Sequence, residues 1–352
     1  MPFTYPTNFE ISQIMPELEA QGRAGRLWLE IMPPRNVNAG TVRWSQQDNY
    51  FGLQNFRGLD GAPTHVQRLG SKTYNYEPGV FGEFVDITET ELTQRAGSVA
   101  ISAAPIPITD LVMAAEMQLV NRELDRMEAS ISTLLTTGTL TLTLDGPNGT
   151  QQAYSDSYTA QTFSATIPWA TVATATPIRD FQAVQQLGVG ISVDLGAGAT
   201  AYMNSVTSNR LLNNTNVNDF GGKRSNYGAT LNNLANINQY LLAQNLPKIQ
   251  VDDRGYYPLY GQKGGVTKGF KKFLPDGTVV VVGKRPGNAM VGEYQLTRNM
   301  SNGGNPGSYA YIIDRVNGTN AEKRTPANIE VHRGHNGGPA LYYPSSLVIM
   351  SV

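Results

Sequence analysis

Apolar and polar residues follow several different periods along this chain, and one long stretch has the period of a helix. Within residues 109–138, apolar side chains recur every three or four positions, at Met113, Met117, Val120, Leu124, Met127, Ile131 and Leu134. This spacing places them on one face of an α-helix. We predict a single helix about 40 Å long at 1.5 Å per residue. Thr109 or Asp110 would cap its start and Gly138 would close its end.

The charged residues of this helix, which we call the spine helix, lie beside its apolar face. Arg122 with Asp125, and Glu123 with Arg126, are spaced three apart, so we expect them to face water or a neighbouring subunit. The simplest interpretation is a core helix of a large domain. A coiled-coil dimer is the alternative, but barely four heptads are present and strand-like sequence follows at once.

Residues 1–40 show no strong period. Five prolines interrupt them, at positions Pro2, Pro6, Pro16, Pro33 and Pro34, and leave only a short amphipathic piece over residues 9–19. Because such a segment gains order only by lying along something else, we predict an extended N-terminal arm.

Residues 41–83 predict a long two-stranded loop. Strand-like ends at residues 41–44 and 65–76 flank a turn-rich tip at 58–63. An isolated hairpin is marginal in water, so we expect a neighbouring subunit to cover the aromatic residues of this loop. The predicted contact residues are Trp44, Tyr50, Phe51, Phe56, Arg57, Lys72 and Tyr74.

The segments on either side of the spine helix predict a first unit over residues 84–176. Residues 82–97 have apolar positions at Phe84, Ile87 and Leu92, which we interpret as a strand. After the spine helix, Leu140, Leu142 and Leu144 alternate, and a turn at 145–149 leads to a returning strand.

A second, mixed α/β unit is predicted over residues 177–313. Helical periods at residues 178–187, 205–213 and 230–244 alternate with strand candidates at 201–203, 248–251 and 278–282. The tail, residues 314–352, contains alternating positions Ile329, Val331, Leu347 and Ile349. We expect this tail to pair back into the sheet of the first unit.

Composition excludes several classes of protein. The 352 residues are only 16% charged, against about 25% in typical soluble domains, and include 36 glycines and no cysteine. Disulfides and thiolate chemistry are therefore excluded. No signal peptide and no stretch long enough to span a membrane is evident. The net charge of −1 argues against a general nucleic-acid binder.

No motif of catalysis or cofactor binding has the required spacing. The glycine pairs near residues 188 and 196, and Gly222-Lys223, do not fit dinucleotide or phosphate-binding loops. His332 and His335 are three apart on a predicted strand, so they point to opposite faces and cannot readily share a metal. We expect no metal, no cofactor and no enzymatic activity. The carboxylates Asp252 and Asp253 are candidates for the alternative of a hydrolase.

The order of parts resembles the major capsid proteins of tailed phages, which have the Hong Kong 97-type fold. Two segments resemble the lambda-type branch, major capsid protein E: residues 264–283, GGVTKGFKKFLPDGTVVVVG, especially Phe273-Leu274-Pro275-Asp276-Gly277-Thr278, and the end of the chain from Ala340. The fold class that the resemblance implies is α+β. It comprises the N-terminal arm, the extended loop, a peripheral domain with the spine helix, and a mixed α/β axial domain.

The resemblance also implies a function and partners. It implies a shell subunit that assembles as pentamers and hexamers into an icosahedral capsid around double-stranded DNA, is made in the host cytoplasm and resides in the virion. The partners would be other copies, a separate scaffolding protein, a cement protein and the portal, with only weak non-specific contact to DNA and none to a membrane. Cross-linking through Lys72 is not expected in this branch. A phage tail or fibre protein is the other structural alternative.

Overall fold

A computed structural model describes residues 3–47, 53–66, 70–98, 106–146, 149–158, 160–217, 233–258, 269–285, 287, 290–316 and 328–352. The helices are α1 (Asn8–Arg23), α2 (Leu27–Ile31), α3 (Glu89–Ser98), α4 (Thr109–Thr137), α5 (Pro177–Leu187), α6 (Ser205–Leu212) and α7 (Leu234–Ala243). The strands are β1 (Phe3–Thr4), β2 (Pro34–Asn36), β3 (Val42–Gln47), β4 (Ser71–Tyr76), β5 (Gly79–Ile87), β6 (Ile106–Pro107), β7 (Thr139–Gly146), β8 (Gly149–Ser157), β9 (Gln161–Ser164), β10 (Thr200–Met203), β11 (Lys248–Val251), β12 (Gly255–Tyr256), β13 (Lys271–Lys272), β14 (Thr278–Val282), β15 (Gly292–Leu296), β16 (Tyr309–Asp314), β17 (Ile329–Leu341) and β18 (Leu347–Ser351).

The spine helix is α4, and its predicted extent is confirmed. Gly138 ends it in the left-handed conformation at φ 69° and donates its N–H to the carbonyl of Leu134 at 2.9 Å. Glycine adopts this backbone conformation without a Cβ clash. The predicted cap at the start is wrong, because Ile108 occupies the N-cap position and no side chain caps the helix there.

More residues of α4 are buried than the predicted apolar face contains. Five of the seven predicted apolar residues are buried, and Met113 and Met117 are partly buried. Glu116, Glu123 and Glu128 are also buried, although we expected Glu123 to face water or a neighbouring subunit. The expected pairing of Glu123 with Arg126 is therefore wrong, because Glu123 meets Arg333 of β17. Asp125 acts on Arg122 as expected, and each of these two residues also meets a charge from another element.

The sheet beside α4 is centred on β17. Strand β17 pairs antiparallel with β5 along Ile329–Gly337, with β16 along its first half and with β15 along its second half. Strand β2 adds to β15 in parallel. Val331, Arg333 and His335 are two apart and lie on one face, and Arg333 and His335 meet Glu123 of α4. The alternation thus directs an apolar and ionic face toward the helix.

The second unit has a five-stranded sheet in the order β11, β10, β14, β18, β9. Helices α5, α6 and α7 occur where the sequence predicts helices, and strands β10, β11 and β14 occur where it predicts strands. The segment that carries the family resemblance forms the turn into β14. There Gly277 lies at φ 76°, and its N–H donates to Thr207 Oγ1 of α6 at 2.9 Å.

The end of the chain divides between the two sheets. Strand β17 pairs with β5 as expected, but β18 lies between β14 and β9 in the five-stranded sheet. The expectation that the whole tail returns to the first sheet is therefore wrong for Leu347–Ser351. Alternation specifies a strand but not its partner, and here the valines of β14 supply the apolar surface on which β18 aligns.

The N-terminal segment is helical rather than extended. Helix α1 covers 16 residues and starts with a capping box between Thr7 and Glu10, in which each side chain bonds the backbone N–H of the other. Ile11, Met15 and Leu18 are buried on one face. Pro16 lies on the exposed side, where water can bind the carbonyl that its missing N–H leaves free. The prolines therefore misled the prediction of an arm without structure.

A second correction concerns residues 82–97. Strand β5 ends at Ile87, and α3 begins at Glu89 after another capping box, between Thr88 and Glu91. Leu92 is thus buried on a helix, not on a strand. In both cases the motif Thr-x-x-Glu was the signal that sequence reasoning missed.

One hydrophobic core runs through both sheets. It contains Trp28 of α2, Leu124 of the spine helix, Val280 of β14 and Leu341 of β17. Separate clusters lie under α5 to α7 and under α1 with α3. The division of the chain into an arm, a loop, two units and a tail, with boundaries at residues 40, 83, 176 and 313, stays a prediction. Within the part of the chain described, no helix is long and apolar enough to cross a membrane.

Candidate functional site

The extended loop begins and ends in a two-stranded ribbon. Strands β3 and β4 pair antiparallel, with Val42 opposite Tyr76 and Trp44 opposite Tyr74. The ribbon is anchored because the Tyr76 hydroxyl donates to the carbonyl of Pro339 on β17 at 2.8 Å. Gly338 has no side chain to obstruct this contact, and a Cβ there would lie 2.2 Å from the same hydroxyl.

The aromatic residues at the base of the loop pack within their own chain. Trp44 is only 5% exposed, and its ring stacks on Tyr74 at 5.0 Å between centroids. Tyr76 and Tyr158 surround the same indole at 6.0 and 5.8 Å. Trp44 and Tyr74 therefore have aromatic partners within their own chain, which the sequence did not predict. Tyr158 supplies the missing surface from beyond β8, which local sequence could not reveal.

The middle of the loop has the opposite character. Leu53, Phe56 and Leu59 are 97%, 106% and 101% exposed, so each presents its whole side chain to solvent in the single chain. Arg57 Nη1 donates to the carbonyl of Gly61 at 3.0 Å, and the Gly61 N–H donates to the carbonyl of Gly58 at 3.0 Å. These bonds shape a turn over residues 57–61 that contains Leu59 and directly follows Phe56.

The other predicted contact residues have different positions. Lys72 is exposed on β4, with Nζ 4.7 Å from the centre of the Tyr74 ring. Tyr50 and Phe51 lie outside the described residues. Contact of any of the seven predicted residues with another copy stays a prediction.

The three exposed apolar residues in the middle of the loop are Leu53, Phe56 and Leu59, and we call them the loop patch.

A cluster of buried charges fixes the sheet below this loop to the spine helix. Arg333 of β17 donates from Nε to Glu123 Oε2 of α4, and from Nη2 to Glu19 Oε1 of α1 at 2.7 Å. His335 Nδ1 lies 3.1 Å from Glu123 Oε1, and the Ser308 hydroxyl donates to that oxygen at 2.5 Å. The side chains of Arg333 and His335 are each 1% exposed.

The sequence held a signal for this cluster that we did not use. Glu116 and Glu123 are seven residues apart, so they share one face of a helix, and Arg333 and His335 are two apart, so they share one face of a strand. The pairing itself joins residues 210 positions apart in the chain. The spacing within each element could not show that these two faces, so far apart in the sequence, meet in the fold.

The environment changes the pKa of these acids in opposite directions. Burial raises the pKa of the Glu123 carboxyl, but His335, Arg333 and Ser308 outweigh burial and lower that pKa to about 2. Burial dominates at Glu116 and raises its pKa to about 7, against the attraction of Arg333. One acid of the cluster is therefore held ionised and the other favours its neutral form.

A second ionic contact joins the spine helix to the other unit. Glu128 accepts from Arg26 Nη1 at 3.0 Å and lies 3.2 Å from Arg254 Nη2, while its Oε1 also accepts the N–H of Trp28 at 3.3 Å. Burial raises the pKa of Glu128, opposed by Arg254 and Arg26. The outer surface of the helix is fixed by Arg122, which pairs with Glu83 of β5 through two bonds.

The residues considered for catalysis have structural partners. Asp253 accepts the backbone N–H of Ser205 at the start of α6 at 2.8 Å, and Asp252 accepts from Arg254 at 2.9 Å. His332 lies 3.0 Å from Glu330, on the face of β17 opposite His335. The described residues contain no group of three or more histidines or acids placed to hold a metal.

Comparison with known proteins connects this architecture to capsids through structure alone. No protein-family model and no curated sequence matches the chain. Among solved structures, a prophage protein of Escherichia coli CFT073 assigned as a capsid protein superimposes with a TM-score of 0.56 at 12% identity, covering 97% of this chain and 98% of that one. A phage-related protein from Bordetella bronchiseptica RB50 gives 0.54 at 10% identity, covering 96% of both chains.

A third structure extends the likeness to an assembled particle. The capsid protein of a native GTA particle superimposes with a TM-score of 0.51 at 11% identity, covering 93% of this chain and 90% of that one. These likenesses span nearly the whole chain in each case. They do not bear on the lambda-type branch, which stays a prediction. The α+β fold of this chain is therefore the Hong Kong 97-type fold that the sequence predicts.

Proposed function

We propose that this chain is the major capsid protein of a tailed phage, which assembles as pentamers and hexamers into an icosahedral shell around double-stranded DNA. The observation that carries the proposal is the whole-chain likeness to the prophage protein assigned as a capsid protein, with 97% and 98% of the two chains covered. Because a fold can host unrelated functions, the surface of the subunit must also suit assembly.

The loop patch provides that second support. Three large apolar side chains are fully exposed within residues 53–59 of one loop, and their concentration in one short segment supports a surface that another copy covers. A second copy that covers them would remove apolar area from water at many repeated contacts, which is how closed symmetric assemblies gain stability. The two strands at the base of the loop are anchored through Trp44 and Tyr76.

The charge balance suits the interior of a DNA-filled shell. The formal net charge is −1, so the subunit lacks the strong positive balance that would hold phosphate groups tightly. Contact with packaged DNA would thus be weak and non-specific. A separate scaffolding protein, a cement protein and a portal complex are part of the proposal, as are assembly in the host cytoplasm and residence in the virion.

A structural rather than enzymatic role is proposed, because the candidate carboxylates Asp252 and Asp253 serve the backbone of α6 and the side chain of Arg254. The test is expression of the full chain together with its neighbouring genes, followed by sedimentation and electron microscopy. Closed shells of uniform diameter support the proposal. Only fibres or tail-like tubes would favour the alternative structural class, and only monomers would overturn the proposal.

A further inference from the structure

The cluster around Arg333 contains one acid without a hydrogen-bond partner among the described residues. Neither carboxylate oxygen of Glu116 has a hydrogen-bond partner among the described residues, and the residue is fully buried. Arg333 Nη1 is the cation that comes near it, 3.7 Å from Oε2, which is beyond hydrogen-bond distance. That nitrogen also has no partner within the described part of the chain.

The other charges of the cluster are already paired with one another. Glu19 lies between Arg333 at 2.7 Å and Arg23 at 2.9 Å, while Glu123 takes the Nε of Arg333 and lies beside His335. Arg333 of β17 and Glu123 of α4 act directly on Glu116. The other titratable and charged groups of the cluster contact these two residues or each other, and they are Glu19 and Arg23 of α1, Tyr294 of β15, Tyr309 of β16 and His335 of β17.

A negative charge on Glu116 would therefore be expensive. It would stand in a fully buried site near the ionised Glu123, and it would share a guanidinium whose closer contacts are to two other acids. An unpaired buried carboxylate is strongly disfavoured, and such groups take up a proton instead. A neutral carboxylic acid carries no such cost.

We propose that Glu116 makes this cluster a proton-sensitive latch, which holds the spine helix against β17 while Glu116 is protonated and loosens when Glu116 loses its proton. The moving proton is exchanged with water, and no other bond changes. This inference goes beyond the proposed capsid role and depends only on the folded subunit. The elements that the latch joins are α1, α4 and the central strand of the sheet.

The direction of the pH effect follows from linkage. Glu116 has an ordinary pKa of 4.5 when unfolded and about 7 when folded, so the folded chain binds the proton more tightly. Its contribution to stability is full below pH 4.5 and is lost as pH rises through 7. A difference of one pKa unit between the folded and unfolded states changes the unfolding equilibrium constant by up to tenfold. The difference of about 2.5 units at Glu116 would therefore raise that constant by up to about 300-fold over this window.

The test compares the full chain with Glu116→Gln, which keeps the shape of the side chain and cannot ionise. Urea unfolding is measured at intervals between pH 4.5 and 8.5. The unfolding constant of the unmodified chain should rise relative to that of Glu116→Gln by between about tenfold and 300-fold across the window. Glu77→Gln, on an exposed residue, serves as the matched control and should follow the unmodified chain.

A second variant separates Glu116 from its titratable neighbour. His335→Gln keeps Glu116, so its unfolding constant should still rise relative to that of Glu116→Gln between pH 4.5 and 7. The proposal would be overturned if the unfolding constants of the unmodified chain and of Glu116→Gln changed in parallel with pH. It would also be overturned if the unfolding constant of His335→Gln changed in parallel with that of Glu116→Gln. If Glu116→Gln does not fold, the profile of the unmodified chain decides, since a flat profile across the window overturns the latch.

Hydrogen exchange locates the effect. At pH 8, backbone amides of β17 should exchange at least about tenfold faster in the unmodified chain than in Glu116→Gln, whereas at pH 5 the two should match. Equal exchange of β17 at both values would overturn the proposal. Assembly of shells does not enter either measurement, so failure of the capsid proposal and failure of the latch are distinguishable.

Discussion

Arg333 of β17 and Glu123 of the spine helix form an ion pair that is closed off from solvent, with side chains 1% and 5% exposed. The two residues are 210 positions apart in the chain. Their pairing joins the helix to the sheet, and Arg333 also contacts Glu19 on α1. The spine helix is thus held to the sheet by both apolar packing and buried charge.

Removal of Arg333 should therefore destabilise the subunit strongly. Arg333→Met leaves Glu19 and Glu123 without their shared cation in a buried site, which typically costs about 3–5 kcal/mol in free energy of unfolding. Urea unfolding at pH 7 measures the change. Arg95→Met is the matched control, because Arg95 pairs with Asp110 at 2.8 Å on the surface, where such pairs contribute about 0–1 kcal/mol. Equal effects of the two variants would refute the role assigned to the cluster.

The spine helix shows what a single sequence can specify. Its extent follows from local periodicity and from Gly138, and both are properties of neighbouring residues. The burial of Glu123 is different, because the offset from Glu123 to Arg126 indicated a surface pair while the actual partner comes from β17. Sequence patterns identify which residues share a face, but they do not identify what that face meets.

The same limit explains the errors near the two ends of the chain. Strand β18 alternates correctly, yet its choice of the five-stranded sheet depends on β14, a strand about 70 residues earlier. Helix α1 was recoverable, since Thr7 and Glu10 have the spacing of a capping box, but Pro16 was given too much weight. The exposed loop patch was only partly foreseen, because Phe56 alone of its three residues was expected to contact a neighbour.

A charge inside the apolar face of the spine helix should prevent folding. Leu124 is 1% exposed, so Leu124→Asp would bury an unpaired carboxylate and should cost more than about 4 kcal/mol. Soluble yield and far-ultraviolet circular dichroism of the expressed chain check this outcome. Ala114→Asp, on an exposed position of the same helix, should fold normally. A folded Leu124→Asp subunit would show that the face is not part of the core.

Acid should weaken the subunit through Glu330. Its carboxylate accepts two bonds from Arg315, at 2.6 and 3.0 Å, and these bonds together with His332 lower its pKa to about 2. Because this pKa lies below the ordinary value of 4.5, the stabilisation is present above pH 4.5 and is lost as pH falls through 2. Solvent screening near the surface reduces this contribution, so the free energy of unfolding should fall by about 1–3 kcal/mol.

The measurement is urea unfolding of the unmodified chain and of Glu330→Gln between pH 2 and 5. Stability of the unmodified chain should fall more steeply with acid than that of the variant, and the two curves should converge near pH 2. Curves that remain parallel over the whole range would contradict the assignment. This window is separate from the one in which Glu116 titrates, so the two acids can be followed independently.

The loop patch should affect assembly without affecting the fold. Phe56→Ser combined with Leu59→Ser changes residues that are fully exposed in the subunit, so the free energy of unfolding should stay within about 0.5 kcal/mol. Assembly, followed by light scattering and sedimentation, should be abolished because the surface between copies loses its apolar area. Normal assembly of this variant would remove the patch from the interface.

Trp44 provides the contrasting case within the same loop. Its indole is buried against Tyr74, Tyr76 and Tyr158, so Trp44→Ala should lower subunit stability by about 3–5 kcal/mol. The comparison separates the base of the loop, which stabilises the chain itself, from the patch, which would stabilise contacts between chains. A stability change below about 1 kcal/mol would place Trp44 outside the core.

The central claim, that this chain builds a capsid, is tested most directly by a cryo-electron-microscopy reconstruction of the particles that it forms with its neighbouring gene products. We expect a closed icosahedral shell in which copies surround fivefold and sixfold positions, with Phe56 of each copy buried against the next. Particles that are only open fibres or tubes, or a chain that stays monomeric under all assembly conditions, would contradict the claim.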